Sequence, residues 1–339
     1  MTPTPDPIAP ERWRAAAEAI RDPGTAGTVV ISGHVNPDGD ALGSALALYL
    51  ALTRHGAAHA LISFSEPFAV APNYRFLAGL DAIVPSSQVP LDADLFVVFD
   101  TGSPDRLGTL LPAFQGARRR MVVDHHASNT TSFADLDLID PQAPASVVLC
   151  RRLLAELGLP LDADVATCLY TGLITDTGRF QYQATRPATH LLAAELLEAG
   201  VDQYEVAKAV FETNDVGYMR LLGATLDRLA QVPEASLVWT AVTLADLERF
   251  GVGLEQTEGV IDVIRTDAAS EVAAVLKEQP DGSGWKVSLR SKGGVNVGRI
   301  ASSFGGGGHA YAAGFSSTLG LEATVKALVD ELPPATRPR

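Results

Sequence analysis

Asp124, His125 and His126 stand in a row directly after an apolar run, 121–123. A carboxylate and two imidazoles can bind a metal or move a proton, but they can also simply hydrogen-bond within a loop. Three further segments supply matching groups. In GHVNPDGDALGSA, His34 is followed by Asp38 and Asp40; helix capping explains that segment equally well, because Asp40 directly precedes a helical pattern. Asp100 ends an apolar run in VVFDTGSPDRLG, and Asp176 ends another in LYTGLITDTGRFQY. Taken singly, each fits an ordinary turn carboxylate. Taken together, the four segments match what two divalent ions about 3.5–4 Å apart require, including one carboxylate able to bridge them. Oxygen and nitrogen donors without cysteine suit Mn²⁺, with Mg²⁺ or Zn²⁺ as weaker candidates.

Such a cluster needs elements that deliver residues distant in sequence to one place. TVVISG (28–33), DLFVVFD (94–100) and MVVD (121–124) are short apolar runs that each end in polar residues, and helical patterns such as 41–56 stand between them. Continuous apolar strands alternating with helices predict an α/β domain, a parallel sheet with helices on both faces. Ligands of such sheets bind beyond the carboxyl ends of the strands, where each polar break falls. Residues 145–230 read as mostly helical. SLVWTAVT (236–243), EVAAVLKE (271–278) and WKVSLRSK (285–292) then read as strands of a second, mixed sheet. The expected division is a catalytic domain over 1–190, a helical connector over 191–232 and a smaller α/β domain over 233–335.

The 339 residues have room for both domains, and 47% hydrophobic with 19% charged residues is an ordinary globular composition. No basic flank precedes an apolar core at the start, and no apolar run is long enough to span a bilayer, so a cytoplasmic protein without membrane contact is expected. Cys150 and Cys168 lie in helical patterns and are expected in the core. A net charge of −14 argues against coating long duplex nucleic acid. Residues 282–320 nevertheless contain no Asp or Glu while including Lys286, Arg290, Lys292, Arg299 and His309. A solvated sheet face would explain the charges alone. The four glycines of FGGGGHAYAAGF add backbone that an anion or base can approach closely.

With these motifs in order, the chain resembles the DHH family of phosphoesterases, named for the triplet seen here at 124–126. RSKGGVNVGRIASSFGGGGHAYAAGF resembles the DHHA1 domain that follows in one branch, so the likeness covers most of the chain. The resemblance implies one metal held by His34, Asp38 and Asp100, and a second by Asp40, Asp100, His125 and Asp176, with Asp100 bridging. It further implies that His126 faces the phosphate and that Asp124 orients the imidazoles. Arg290, Ser291, Gly307, Gly308 and His309 are then expected to hold the far part of the substrate, with Arg265 a weaker candidate. The active site would lie in a cleft between the domains.

Within the family, pyrophosphatases are not expected to carry the GGGGH segment, and RecJ-type exonucleases normally have additional nucleic-acid-binding parts. The compact form with this tail resembles the NrnA-like branch. That resemblance implies Mn²⁺-dependent hydrolysis of very short RNA (nano-RNA) to mononucleotides, and removal of the 3′-phosphate from 3′-phosphoadenosine 5′-phosphate (pAp). A phosphodiesterase for cyclic dinucleotides or linear pApA is the alternative, and a non-catalytic nucleotide-binding regulator is a third class. Oligomeric state, homodimer included, is left open by the sequence.

Overall fold

The structure, a computed structural model, describes residues 7–24, 27–56, 59–127, 129 and 132–335. The chain divides into two compact units, Met1–Thr213 and Asn214–Arg339. The segment expected as a connector is shared between them. Its first two helices pack in the first unit and its last opens the second.

In chain order the first unit contains α1 (Pro10–Arg21), β1 (Thr28–Ser32), α2 (Gly39–Arg54), β2 (His59–Ile62), β3 (Leu95–Phe99), α3 (Leu111–Gly116), β4 (Arg119–Asp124) and β5 (Leu136–Ile139). The helices α4 (Ser146–Glu156), α5 (Ala163–Asp176), α6 (Pro187–Glu198) and α7 (Gln203–Phe211) follow. Its five strands run in the order β2-β1-β3-β4-β5, and every neighbouring pair is parallel. Alternation along the strands feeds two cores. Val29, Ile31, Val97, Phe99 and Val123 join residues of α1, α2, α4 and α5 on one face, whereas Val30, Phe96, Val98 and Val122 meet Ala113 and Phe114 of α3 on the other. Burial on both faces is why these strands read as unbroken apolar runs.

The order reverses between β1 and β3, leaving a crevice beyond their carboxyl ends, the usual ligand position in such sheets. The closest helix pair is α2 against α5. A Cβ on Gly43 would lie 2.3 Å from the Cys168 carbonyl oxygen, and one on Gly172 would lie 2.9 Å from Asp40 Cα. Cys150 and Cys168 are both free and buried in this core, as expected.

The second unit comprises α8 (Val216–Asp227), β6 (Ala230–Val232), β7 (Leu237–Val242), α9 (Leu244–Phe250), α10 (Val260–Ile264), β8 (Val272–Glu278) and β9 (Trp285–Ser291). It ends with α11 (Val297–Ser303), β10 (Gly307–Gly308), β11 (Ala312–Ser317) and α12 (Leu321–Glu331). The six strands run β10-β11-β9-β8-β7-β6. Only β7 and β8 pair in parallel, so the sheet is mixed. α11 and α12 cover one face, where Leu276, Val287, Leu289 and Phe315 point. On the other, residues of α8 and α10 cover Val238, Val242, Ala273 and Val275 of β7 and β8. No helix among the described residues is long and apolar enough to cross a membrane.

Candidate metal centre

The strand ends and two helix ends of the first unit bring the polar breaks together. His34 follows β1, Asp100 follows β3, and Asp124 closes β4 with His125 and His126 beyond it. Asp40 comes from the first turn of α2 and Asp176 from the last residue of α5. The tight α2–α5 packing through Gly43 and Gly172 places these two carboxylates against the strand ends. Asp100 itself adopts a left-handed backbone, φ 53°. A non-glycine residue there carries strain, a condition that clusters at functional positions.

Two overlapping sets of donors result. His34, Asp38 and Asp100 form one group whose ligand atoms lie within 4.8 Å of one another, and Asp40, His125 and Asp176 form another. His34 Nε2 is 3.3 Å from Asp100 Oδ2 and 3.7 Å from Asp38 Oδ2. His125 Nε2 is 3.3 Å from Asp100 Oδ1, 3.1 Å from Asp176 Oδ2 and 3.7 Å from Asp40 Oδ2. The two oxygens of Asp100 therefore serve different groups. This mixed carboxylate–imidazole set fits a pair of divalent cations, and each imidazole is fixed through its other nitrogen: His34 Nδ1 at 2.8 Å from the Val35 carbonyl and His125 Nδ1 at 3.1 Å from that of Ala143.

Capping and metal ligation prove compatible in the first motif. Asp38 Oδ1 accepts from the backbone N–H of Asp40 and Ala41 and caps α2, while Oδ2 faces His34. Asp40 accepts from the N–H groups of Ser146 (2.6 Å) and Val147 (2.9 Å) at the start of α4.

The charges explain the protonation of the metal-free cluster. Burial alone would favour a neutral His34, but Asp100 and Asp38 outweigh it and raise its pKa to about 10. His125 is raised well above its ordinary value, as burial is overcome by Asp100 and Asp176. Asp100, despite burial, is held well below the usual carboxylate range by its hydrogen bonds with His125 and His34. Burial, then repulsion from Asp176 and Asp100, pushes Asp40 up. The clustered carboxylates thus need positive charge, which protons supply without metal.

Asp124 has a separate task. Its Oδ1 lies 2.7 Å from His126 Nδ1, and its Oδ2 accepts from Asn129 Nδ2 at 2.8 Å. Asn129 Nδ2 also reaches the Thr101 carbonyl at 3.4 Å. A chain Asn129–Asp124–His126 therefore sets one imidazole, whereas His125 Nδ1 lies against the Ala143 carbonyl. The family resemblance had Asp124 orienting imidazoles, and the geometry singles out His126.

In the second unit the expected substrate residues separate. Arg290 and Ser291 are neighbours on β9 and so point to opposite faces. Ser291 is buried; its Oγ donates to Glu271 at 2.9 Å and accepts from the N–H groups of Gly293 and Val295. Arg290 is partly exposed, opposite Ala273 and Ala312. Gly307 and Gly308 form β10 against β11, with Gly308 at φ 135°. A Cβ on Gly306 would lie 2.2 Å from the Gly314 carbonyl oxygen, so part of the glycine run serves close backbone packing. His309 is partly exposed, its N–H donating to the Ala312 carbonyl at 2.8 Å, and Arg265 caps the C-terminus of α10.

Comparison with known proteins identifies the family. The family model for the DHH family, N-terminal domain, matches residues 28–173, and that for the DHHA1 domain matches 240–332. A bifunctional oligoribonuclease and PAP phosphatase NrnA of Thermus thermophilus is 34% identical over 315 residues, 91% of this chain and 90% of that protein. The chain belongs to the DHH family. A protein of the same description from Bacillus subtilis is 26% identical over 88% of this chain and 92% of its own length. In fold, an exopolyphosphatase-related protein from Bacteroides fragilis superposes with a TM-score of 0.86 at 24% identity, covering 97% of this chain and 98% of that one. The DHH match includes seven of the eight residues from His34 to Asp176 that face one another here, with Asp176 just past its end.

Asn129 and Ser146 escaped the sequence reading. Ser146 donates from its backbone to Asp40 and from Oγ to Asp100 at 3.3 Å. Asn129 stands inside the segment that carries the triplet, yet nothing in its spacing ties it to Asp124.

Proposed function

We propose that this chain is a metal-dependent phosphoesterase that cleaves very short RNA oligonucleotides to mononucleotides and removes the 3′-phosphate of pAp. The observation that carries this reading is the carboxylate of Asp100, whose two oxygens face His34 and His125 from one buried position. His34, Asp38 and Asp100 would hold one divalent ion, and Asp40, Asp100, His125 and Asp176 a second. Bound there, the ions would polarise phosphate oxygens and lower the pKa of an attacking water. Manganese is the ion we infer, from the balance of oxygen and nitrogen donors.

The chain's own residues complete the chemistry. Asp124 holds a proton on His126 Nδ1, so the opposite ring nitrogen, when protonated, can donate to a phosphate oxygen or to the departing one. Water adds to phosphorus, the bond to the nucleoside oxygen breaks, and that oxygen takes up a proton. No side-chain nucleophile is required. In the second unit, Arg290, Gly307, Gly308 and His309 are proposed to contact the part of the substrate not under attack, with Arg265 in a lesser role and Ser291 as support for the loop beside them. We further infer a cytoplasmic enzyme.

The substrate assignment draws on the two relatives named for oligoribonuclease and PAP phosphatase activity. Its test is the initial rate with Mn²⁺ on pApA, a five-nucleotide RNA, a 24-nucleotide RNA, pAp, cyclic di-AMP and pyrophosphate. Preference for pApA, the short RNA and pAp is expected. Preference for pyrophosphate or cyclic di-AMP would overturn the substrate assignment while sparing the metal centre.

A further inference from the structure

Of the carboxylates that gather around His125, that of Asp176 is the least restrained. Asp40 is fully buried and accepts from two backbone N–H groups, and Asp100 is met by His34, His125 and the Ser146 hydroxyl. The Asp176 side chain is 22% exposed, and His125 is its one partner among the described residues. Asp176 is also the last residue of α5, where helical hydrogen bonding runs out. Whatever fixes the chain beyond it therefore fixes where its carboxylate points.

That chain takes an uncommon course. Gly178, Arg179 and Phe180 are left-handed in succession, at φ 54°, 59° and 66°. Helices commonly end on one such residue, usually glycine; a run that continues through two residues with side chains is disfavoured, because Cβ crowds the carbonyl oxygen. It persists only where surrounding contacts hold it. Thr177 supplies several of them. Its buried hydroxyl donates to the Leu173 carbonyl at 2.6 Å and accepts from the Phe180 N–H at 3.1 Å, and its carbonyl accepts from the N–H groups of Gln181 and Tyr182, each at 3.0 Å. Tyr182 lies so close over Gly178 that a Cβ there would be 2.3 Å from the ring.

A further contact comes from a distant segment. Arg179 Cζ stands 3.9 Å from the centre of the ring of Phe211, the last residue of α7. Arg179 makes no ion pair among the described residues, although the chain carries 40 acidic residues. Its guanidinium is instead drawn to the ring face, a planar contact that also fixes the side chain's orientation. Gly178 alone would serve as a helix stop. Extending the left-handed run through Arg179 and Phe180 costs stability, and what it achieves is to bring the guanidinium onto Phe211 three residues past Asp176.

We propose that Arg179, clamped on Phe211, is a positioning residue that sets the Asp176 carboxylate for the second divalent ion. The proposal rests on the two-ion reading of the metal centre and deepens it. Arg179 touches neither ion nor substrate. It holds a strained turn whose release lets Asp176 swing away from His125, leaving Asp40, Asp100 and His125 as an incomplete set. His34 and Asp38, on the other side of Asp100, take no part in the clamp.

Titration of Mn²⁺ into the full chain, followed by calorimetry and by the spin-coupled EPR signal of a paired centre, tests this without turnover. Arg179→Gly is the informative variant, because glycine favours the left-handed backbone while the clamp is removed. Its melting temperature should match or exceed that of wild type, yet the second ion should bind about tenfold more weakly, the scale of a lost supporting contact behind a metal ligand. First-ion affinity should not change. Phe211→Leu should give the same second-ion loss, and the double variant no more than either alone, the mark of a shared interaction. Unchanged second-ion affinity in Arg179→Gly would overturn the proposal and leave the turn as a structural stop. Additive losses in the double variant would overturn the link between Arg179 and Phe211. A wild-type chain that takes up one ion or none would overturn the two-ion reading itself, and this proposal with it.

Discussion

Asp100 Oδ1 stands 3.3 Å from His125 Nε2, while the other oxygen of the same carboxylate stands 3.3 Å from His34 Nε2. One side chain thus connects two donor groups that reach it from opposite sides. Replacing Asp100 by Ala is expected to remove nearly all turnover, because both groups lose a donor at once. Metal content by mass spectrometry on the purified variant checks this. Wild-type kcat together with two bound ions would remove the bridging role.

Asn129 is expected to act on His126 through Asp124 without touching substrate. Asn129→Ala releases one oxygen of Asp124 and lets the imidazole turn, so kcat should fall about tenfold or more with little change in KM. The NMR signal of the His126 Nδ1 proton should broaden or shift in the same variant. A lowered melting temperature with kcat and that signal intact would show Asn129 to be structural only.

Metal uptake should release protons. His34 has its pKa raised to about 10 and His125 is also raised, so both are charged near pH 7 in the metal-free chain. Ligation requires neutral imidazoles. The sign follows: raising pH from 7 towards 10 removes the competing proton and tightens metal binding, and lowering pH weakens it. Titration of Mn²⁺ in two buffers of different ionisation enthalpy measures the protons released. Equal apparent enthalpies in both buffers would contradict the charged state of these imidazoles.

Gly43→Ala probes how helix packing builds the centre. The added methyl would lie 2.3 Å from the Cys168 carbonyl oxygen, so α2 and α5 must separate. Overpacking of this kind costs about 1–3 kcal/mol. Denaturant unfolding should show that loss, and metal affinity should fall too, because Asp40 rides on α2 and Asp176 on α5. Destabilisation with unaltered metal affinity would separate the packing from the site.

The legible part of this protein was carried by local patterns. Unbroken apolar strands announced a doubly covered parallel sheet, and polar breaks at their ends announced His34, Asp100 and the triplet at 124–126. β2, β5, β6 and the two-residue β10 are not legible, being short and, in Leu136–Ile139, interrupted by Asp137, and β11 (Ala312–Ser317) is masked by its small residues after the glycine run. The DHH and DHHA1 resemblances were likewise present in the order of motifs.

Only the tertiary structure decided how those groups divide. That Asp38 both caps α2 and faces His34, that Asn129 restrains Asp124, and that Arg290 and Ser291 part to opposite faces all depend on where side chains point once strands are paired. The residue types and their placement at element ends are local properties, set by periodicity and turn chemistry. Which oxygen meets which nitrogen is set by packing between segments far apart in the chain, as when Gly43 and Gly172 let α2 and α5 close on each other. No spacing along a sequence encodes such a distance, because it arises from the sum of many contacts that exist only in the folded core.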